Sequence, residues 1–182
     1  MRVLSLMIAL AIVSLPLSAQ LKVVDPYNPV IGGRSVSCVA AGGQAVLFVV
    51  NAGLNDVGRA TRGNPMIGIP PKIEMNTQLL SQYPAKLQLF WYGHECAHHA
   101  LGHTVFFTPA HEAAADCWSI RTIEQEGFVT KDDVAGFGPY FAKNPSLPWS
   151  HLPGPARTTH FMECYGRGTR VSLHERPSET QE

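Results

Sequence analysis

The stretch GHECAHHALGH, from Gly93 to His103, holds four histidines among eleven residues. Within it, the residues from His94 to His98 read H-E-x-x-H. On an α-helix, residues four apart project from the same face, so both histidines of this motif can bind one metal ion. Glu95 points about 100° around the helix from His94, from where its carboxylate reaches water at the metal without being a ligand. The stretch therefore predicts a helix that carries two metal ligands and a general base.

A catalytic zinc site typically takes a third protein ligand, for which the chain offers two candidates. Glu112, in the stretch HEAAADCWSI, can complete a site of two histidines and one carboxylate. Asp116 lies four residues further, on the same helix face, and could accept a hydrogen bond from a ligand histidine. His103 is the alternative, although it follows His98 by five residues instead of the six in H-E-x-x-H-x-x-G-x-x-H. The two acidic residues could instead simply favour a helix N-terminus, which would leave the histidine pair unexplained.

The chain before this stretch is β-rich. Four short segments have the composition of strands: residues 35–41, 44–51, 66–69 and 72–76. Gly42-Gly43 separates the first two segments and predicts a hairpin turn. Pro70-Pro71 interrupts the last two, and two prolines limit ladder hydrogen bonding. We therefore expect an edge strand in this last part, with a loop over residues 51–65.

The chain from residue 84 onward has helical spacing. The expected helices cover residues 84–102, 109–127, a weaker segment from 130, and 155–165. Thr108-Pro109 is typical of an N-cap followed by proline in the first turn, and Thr130 begins a capping-box pattern. Gly102 and Gly127 are expected C-terminal stops. The predicted fold class is α+β: a small N-terminal β-sheet with an edge strand, an active-site helix pair and a C-terminal helical part.

The N-terminus is typical of an export signal. Arg2 precedes an apolar run over residues 3–15, and small residues lie near Ala19, before Gln20. We expect residues 1–19 to be a signal peptide, with an uncleaved anchor as the alternative. The expected domain then covers residues 20–166, and residues 167–182 form a flexible polar tail. The mature protein is expected to be periplasmic or secreted, without stable membrane insertion.

The charge balance bears on the class of partner. The chain has 14 basic and 14 acidic side chains, so its formal net charge is zero. A nucleic-acid-binding protein would normally show a basic excess or a basic stripe. We therefore expect no nucleic-acid partner, and the sequence does not indicate an oligomeric state.

Four cysteines in an exported chain suggest two disulfides. Four cysteines permit three pairings. We favour Cys96 with Cys117, because each lies on a helix that carries a candidate metal ligand, and Cys38 would then pair with Cys164. Free buried thiols are the alternative.

The motif GHECAH, followed by Glu112-x-x-x-Asp116, resembles the gluzincin metallopeptidases, which use H-E-x-x-H on one helix and E-x-x-x-D on the next. The glycine before the first histidine and the short chain look most like the branch that contains the prenyl-protein endopeptidases and small periplasmic relatives. The resemblance implies one Zn²⁺ bound by His94, His98 and Glu112, with Glu95 as general base. It also implies that Asp116 supports a ligand histidine.

The resemblance has three further consequences. It implies a minimal zincin-like domain in which an extended substrate adds to an edge strand, for which residues 72–76 or their neighbours are candidates. The 14 residues from His98 to Glu112 are fewer than is common among gluzincins. The stretch SHLPGPAR places His151 six residues before Arg157, a separation found in that branch, although Leu152 follows the histidine where the branch has proline. The resemblance would make His151 a stabiliser of the oxyanion, with Arg157 bracing the site near Glu112.

The sequence therefore predicts a secreted or periplasmic zinc-dependent endopeptidase. Zinc would lower the pKa of water, and Glu95 would take the proton before the water attacks a peptide carbonyl. The alternative is an exported zinc-binding protein without hydrolytic activity, which the surplus of histidines would suit. Such a protein would not need a carboxylate at Glu95. A third alternative is a structural domain held by disulfides, in which the motif is accidental.

Overall fold

A computed structural model of the chain describes residues 25–103, 108–142 and 151–167. These residues form small β-sheets in the N-terminal half, followed by helices, which confirms the predicted α+β class. The expected signal peptide, and the expected tail beyond residue 167, lie outside the described residues. Among the helices of the described ranges, none is long and apolar enough to cross a membrane.

The described strands form two sheets. The strands are β1 (Val30–Ile31), β2 (Arg34–Ser35), β3 (Leu47–Val50), β4 (Gly58–Thr61) and β5 (Lys72–Met75). β1 and β2 pair as an antiparallel hairpin. The larger sheet has the order β3-β5-β4, in which β5 runs parallel to β3 and antiparallel to β4. β4 is therefore an edge of this sheet.

The expectation of an edge strand at residues 72–76 is wrong, because β5 is the central strand of its sheet. Pro70 and Pro71 precede the strand, so they remove no N–H group from its ladders. The Pro71 carbonyl even accepts a hydrogen bond from the Leu47 amide at the start of β3. The edge strand β4 lies in the segment that we expected to be a loop, residues 51–65.

Two further strand predictions are partly or wholly wrong. The chain does reverse at Gly42-Gly43, where Val39 bridges Ala45, but a full hairpin does not form and only β3 develops within residues 44–51. Residues 66–69 are not extended, because Pro65–Ile67 form a short 3₁₀-helix. The Asn64 side chain caps this turn by accepting a hydrogen bond from the Met66 amide.

Six helices are described, with at least one in each predicted segment, while the short helix Thr77–Leu80 was not predicted. They are α1 (Thr77–Leu80), α2 (Ala85–Ala100), α3 (Pro109–Gln125), α4 (Lys131–Ala135), α5 (Gly138–Phe141) and α6 (Gly154–Cys164). Thr108 caps α3 through the His111 amide, and Thr130 forms the expected capping box with Asp133. Gly102 and Gly127 follow α2 and α3 with φ of 72° and 69°, a left-handed conformation that glycine adopts without strain.

Helix α2 lies at the centre of the molecule. It packs most extensively on α3 and also contacts β1, β4 and β5. Gly93 allows the close approach of α3, since a Cβ atom at this position would lie 2.5 Å from the Ser119 hydroxyl oxygen. That hydroxyl donates a hydrogen bond of 2.7 Å to the Phe90 carbonyl. The H-E-x-x-H motif is therefore held on a helix that is buried between the sheet and the other helices.

The two disulfides involve all four cysteines, but the favoured pairing is wrong. Cys38 is bonded to Cys96, and Cys117 is bonded to Cys164. Helical geometry explains the difference, because Cys96 lies two residues from each motif histidine and so points away from the ligand face of α2. Cys117 likewise points away from the face of α3 that carries Glu112, and it reaches α6 instead. The cysteines lie on the right helices but on the faces that do not meet.

Candidate metal centre

Three buried side chains from α2 and α3 converge on one point. The Nε2 atoms of His94 and His98 are 3.2 Å apart, and His94 Nε2 lies 3.1 Å from a Glu112 carboxylate oxygen. His98 Nε2 lies 3.7 Å from the other oxygen of that carboxylate. The three side chains are 1–6% exposed. The helix pair thus brings together the ligands that the sequence predicts, as a group that could hold a metal ion.

The spacing of the three donors fits a small tetrahedral ion. Zinc bonds of about 2.0–2.2 Å to nitrogen and oxygen, at tetrahedral angles, place neighbouring ligand atoms roughly 3.3–3.5 Å apart. The observed separations of 3.1, 3.2 and 3.7 Å lie around this value. Without an ion, three close-packed acceptor atoms would need a shared proton to avoid repulsion. The donor set therefore suits a divalent metal that accepts imidazole and carboxylate.

Asp116 contacts the ring nitrogen of His94 that faces away from the cluster, and Arg157 in turn contacts Asp116. His94 Nδ1 lies 2.8 Å from Asp116 Oδ1, which fixes the ring so that Nε2 faces the cluster. Arg157, 1% exposed, donates two hydrogen bonds to the same carboxylate, from Nε at 2.8 Å and from Nη2 at 2.7 Å. Arg157 therefore braces the site through Asp116, and not beside Glu112 as the resemblance implied.

The charges of the cluster favour a cation. Burial and the adjacent charge of His94 together lower the pKa of His98 to about 3, so this imidazole is neutral and its nitrogen is available as a ligand. Burial would also lower the pKa of His94, but hydrogen bonds to Asp116 and Glu112 raise it to about 9. In the absence of metal, His94 thus carries a proton between two carboxylates. A metal ion would replace that proton as the positive charge.

Glu95 is buried beside the cluster without belonging to it. It is 8% exposed and accepts a hydrogen bond from the Ala60 amide of β4. Burial raises the pKa of this carboxyl group to about 7, although the charge on His94 opposes the rise. Gly58 makes room for Glu95, since a Cβ atom at residue 58 would lie 2.8 Å from the Glu95 Cγ atom. A carboxyl group with a pKa near neutrality can both accept and return a proton.

His151 reaches the cluster from the segment before α6. Its Nε2 atom lies 2.7 Å from a Glu112 oxygen and 3.3 Å from His94 Nε2. Its side chain is 28% exposed, so it faces the open side of the site. Burial lowers the pKa of His151, while the hydrogen bond to Glu112 opposes this shift. The structure thus brings the sequence-predicted His151 against Glu112, at the open side of the cluster.

His103 does not join the cluster. Its Nδ1 atom lies 3.3 Å from His98 Nδ1, on the opposite side of that ring from the cluster. Its ring stacks on His111, with centroids 4.3 Å apart. Of the two candidates for third ligand, the geometry therefore favours Glu112. His99 is buried as well, and its Nε2–H donates a hydrogen bond to the Lys72 carbonyl.

A cavity of about 600 Å³ opens in front of Glu95, His98, Glu112 and His151. Residues of β4 and of the preceding loop form its other wall. The backbone N–H of Asn76 donates a hydrogen bond to the Val57 carbonyl. In an antiparallel ladder every second residue bonds the neighbouring strand, so the backbone N–H and C=O groups of Gly58 and Ala60 point away from β5. The Ala60 N–H does point away from β5, because it donates a hydrogen bond to the Glu95 carboxyl group. An edge of β4 therefore faces the metal cluster across the cavity.

Sequence reasoning missed one residue of chemical interest, His160. It lies on α6, where its Nε2 atom is 3.4 Å from Cys117 Sγ and 3.6 Å from Cys164 Sγ. It also bonds the Ala113 carbonyl at 2.9 Å. Only the four-residue spacing of His160 and Cys164 signalled a shared helix face, and no sequence feature indicated that Cys117 would join them.

Comparisons of the chain with protein-family models, with curated proteins and with solved structures found no significant match.

Proposed function

We propose that this protein is an exported zinc-dependent endopeptidase of gluzincin type. The observation that carries the proposal is the position of Glu95, a buried carboxyl group that borders the cluster of His94, His98 and Glu112 without being one of the candidate ligands. A site that only stores metal has no need of such a group. Hydrolysis needs a base that can reach water at the metal.

The ligands proposed for zinc are His94, His98 and Glu112. Two imidazoles and one carboxylate are a ligand set found in catalytic zinc sites, and the cavity borders His98 and Glu112. A bound Zn²⁺ would supply a polarised carbonyl and a nucleophilic water near neutral pH. Asp116 would keep the His94 ring in the tautomer whose Nε2 atom is free to bind.

The chain's own residues have distinct roles in the proposed reaction. Glu95 accepts a proton from the attacking water and then delivers it to the leaving amine, which its pKa of about 7 suits. His151, which faces the open side of the cluster, donates a hydrogen bond to the oxygen that becomes negatively charged. Arg157 contacts only the bracing carboxylate of Asp116 and is a positioning residue.

An extended peptide is the proposed substrate. The outward backbone groups of Gly58 and the Ala60 carbonyl can pair with a peptide strand that lies between β4 and the cluster, while the Ala60 amide stays bonded to Glu95. In such a pairing the scissile bond would lie beside Glu95, because β4 contacts α2 directly. The cavity wall adds Asp56 and Arg59, and the Arg59 guanidinium is already paired with Glu74 of β5.

The proposed export rests on the N-terminal sequence pattern and on the disulfides. All four cysteines are bonded, which is typical of proteins that fold in an oxidising compartment.

The test is cleavage of a diverse peptide library by the zinc-loaded chain, with Glu95→Gln in parallel. Loss of the general base is expected to lower kcat by about 10²–10⁴-fold while the zinc content stays equal. Glu163→Gln is the matched control, because Glu163 is exposed on α6 and does not line the cavity. Equal zinc without cleavage by any variant would favour the non-catalytic zinc-binding protein, and no zinc in any of them would contradict both.

A further inference from the structure

A second group of metal-ligating side chains lies on the α3–α6 interface, apart from the candidate centre. It consists of Cys117 on α3 and of His160 and Cys164 on α6. The ligand atoms of these three side chains all lie within 4.8 Å of one another. In the structure the two cysteines form a disulfide, and His160 Nε2 lies against both sulfurs.

The position of His160 matches the geometry of a tetrahedral metal. Zinc bonds of about 2.3 Å to sulfur and 2.0–2.1 Å to nitrogen place a sulfur ligand and a nitrogen ligand roughly 3.5 Å apart. The observed distances from His160 Nε2 are 3.4 Å to Cys117 Sγ and 3.6 Å to Cys164 Sγ. The nitrogen therefore already occupies its ligand position relative to both sulfurs.

The two sulfurs need only a small movement to complete the site. As thiolates on one zinc ion they would stand roughly 3.8 Å apart, about 1.7 Å further than in a disulfide. Rotation of the side chains provides such a shift, because the Cα atoms are 5.1 Å apart and each cysteine has a free χ1 torsion once the bond is broken. His160 would exchange its hydrogen bond to Ala113 for the metal, while the Ala113 carbonyl keeps its helical partner.

The surroundings leave room for a fourth ligand and favour thiolates. A cavity of about 530 Å³ borders Cys117 and His160, so water can reach the metal position. Arg121 lines the same cavity one helical turn after Cys117, and a nearby guanidinium favours the thiolate form that binds metal. Two thiolates and a neutral imidazole neutralise the charge of one divalent ion, so the arginine does not repel the complex.

We propose that Cys117, His160 and Cys164 form a redox-controlled site for a divalent cation that binds thiolates, such as Zn²⁺. The site exists in the reduced chain, either before the disulfide forms or after a dithiol reduces it. In that reduction the dithiol gives two electrons and two protons, its own sulfurs join, and the Cys117–Cys164 bond becomes two thiols. Metal binding then releases the two thiol protons to water. Oxidation by a disulfide of the same class reverses the sequence and expels the ion.

In both states α6 stays attached to α3. Cys117 directly follows Asp116, and His160 lies three residues after Arg157, so the site neighbours the ion pair that braces the candidate centre. The disulfide and the metal ion are thus alternative cross-links between α3 and α6. The proposal does not depend on peptidase activity.

The experiment is titration of the reduced chain with Co²⁺, followed by absorption. The chain is produced and purified under reducing conditions and kept in a phosphine reductant, so that its thiols are free from synthesis onward. We expect thiolate-to-cobalt charge-transfer absorption in the reduced chain and none in the oxidised chain. The His94, His98 and Glu112 cluster contains no sulfur, so Co²⁺ bound there does not produce this signal whether or not the proposed function holds.

Two variants separate the proposed ligands from other sulfurs. Cys117→Ser/Cys164→Ser retains Cys38 and Cys96 and is expected to lose the absorption. His160→Gln keeps a donor for the Ala113 carbonyl but no imidazole, and its Co²⁺ affinity is expected to fall about tenfold or more with unchanged circular dichroism. Glu163→Gln, on the exposed face of α6, is the control and should bind Co²⁺ as the parent chain does.

Four results would overturn the proposal. The first is that the reduced chain is folded and a thiol assay detects its free cysteines, but Co²⁺ produces no charge-transfer absorption. The second is the same absorption in the double serine variant, which would assign it to Cys38 and Cys96. The third is a His160→Gln variant that binds Co²⁺ as tightly as the parent chain. Loss of helical circular dichroism on reduction that Co²⁺ does not restore would also overturn it.

Discussion

Asp116 connects two buried groups at the candidate metal centre. Its carboxylate accepts a hydrogen bond from His94 Nδ1 and two from Arg157. Burial alone would raise the pKa of Asp116, but the charge of Arg157 and the bond to His94 lower it to about 2. The carboxylate is therefore ionised at neutral pH and can both orient the imidazole and neutralise the buried guanidinium.

Replacing Asp116 by asparagine is expected to weaken zinc binding about 10–100-fold, because the amide no longer enforces the ligand tautomer of His94. The free energy of unfolding should also fall by about 3–5 kcal/mol, since a buried arginine loses its partner. Competition with a zinc chelator measures the first quantity and urea unfolding the second.

Two control variants separate these effects. Arg157→Met should lower the stability similarly but reduce the zinc affinity much less, since it leaves the His94–Asp116 bond in place. Asp132→Asn, at an exposed position on α4, should change neither quantity. Equal losses of zinc affinity in Asp116→Asn and Arg157→Met would show that Asp116 acts only through stability.

At the scale of the elements, the contact between α2 and α3 determines the geometry of the metal cluster. His94 and His98 lie on α2 and Glu112 on α3, so their distances depend on how closely the two helices approach. At Gly93 the two helices leave no room for a side chain, because a Cβ atom there would lie 2.5 Å from the Ser119 hydroxyl oxygen. The Ser119 hydroxyl also bonds the Phe90 carbonyl, which ties the two helices together.

Gly93→Ala is therefore expected to destabilise the protein. In an isolated helix the same change would stabilise by about 1 kcal/mol. Here the added methyl group collides with the Ser119 side chain, and such overpacking costs about 1–3 kcal/mol. Urea unfolding at neutral pH measures the difference.

A double-mutant cycle with Ser119→Ala identifies the cause. Removing the hydroxyl takes away the nearest colliding atom, so the double variant should be less destabilised than the sum of the single changes by at least about 0.5 kcal/mol. Gly42→Ala, where a Cβ atom meets nothing within 4 Å, should be nearly neutral. Additive effects of Gly93→Ala and Ser119→Ala would contradict the proposed steric cause.

At the scale of the whole molecule, the disulfides join the β-rich half to the helical half and the last helix to the rest. Cys38 lies before β3, and Cys96 lies on α2 next to Glu95, with 58 residues of sequence separation between them. Both cysteines are buried, at 2% and 1% exposure. This disulfide therefore attaches the segment before β3 directly to the helix that carries the H-E-x-x-H motif.

Cys38→Ala/Cys96→Ala is expected to lower the free energy of unfolding by about 2–4 kcal/mol, because the bond restricts a long loop in the unfolded chain. Urea unfolding under oxidising conditions measures this loss. Proteolysis without reduction, followed by mass spectrometry, should yield peptides that link Cys38 to Cys96 and Cys117 to Cys164. A peptide that links Cys96 to Cys117 would contradict the pairing in the structure.

Local patterns in the sequence were sufficient for the helical half. The spacing of His94 and His98, the cap at Thr108 and the stops at Gly102 and Gly127 act over a few residues, and each appears in the structure where it was expected. The candidate ligand set also followed from these patterns, because two helices separated by a short connection must pack as neighbours. Local hydrogen bonding and helical periodicity are properties that a sequence carries directly.

Tertiary structure alone decided the features that join distant parts of the chain. The central position of β5, the partner of Arg157 and the position of His160 between two sulfurs all depend on residues far apart in sequence. The disulfide pairing belongs to the same class, since the choice depended on which helix faces meet and not on which helices carry cysteines. These contacts arise from the packing of whole helices and strands against one another. A single sequence contains no local signal for which neighbour each face of a helix or strand will contact.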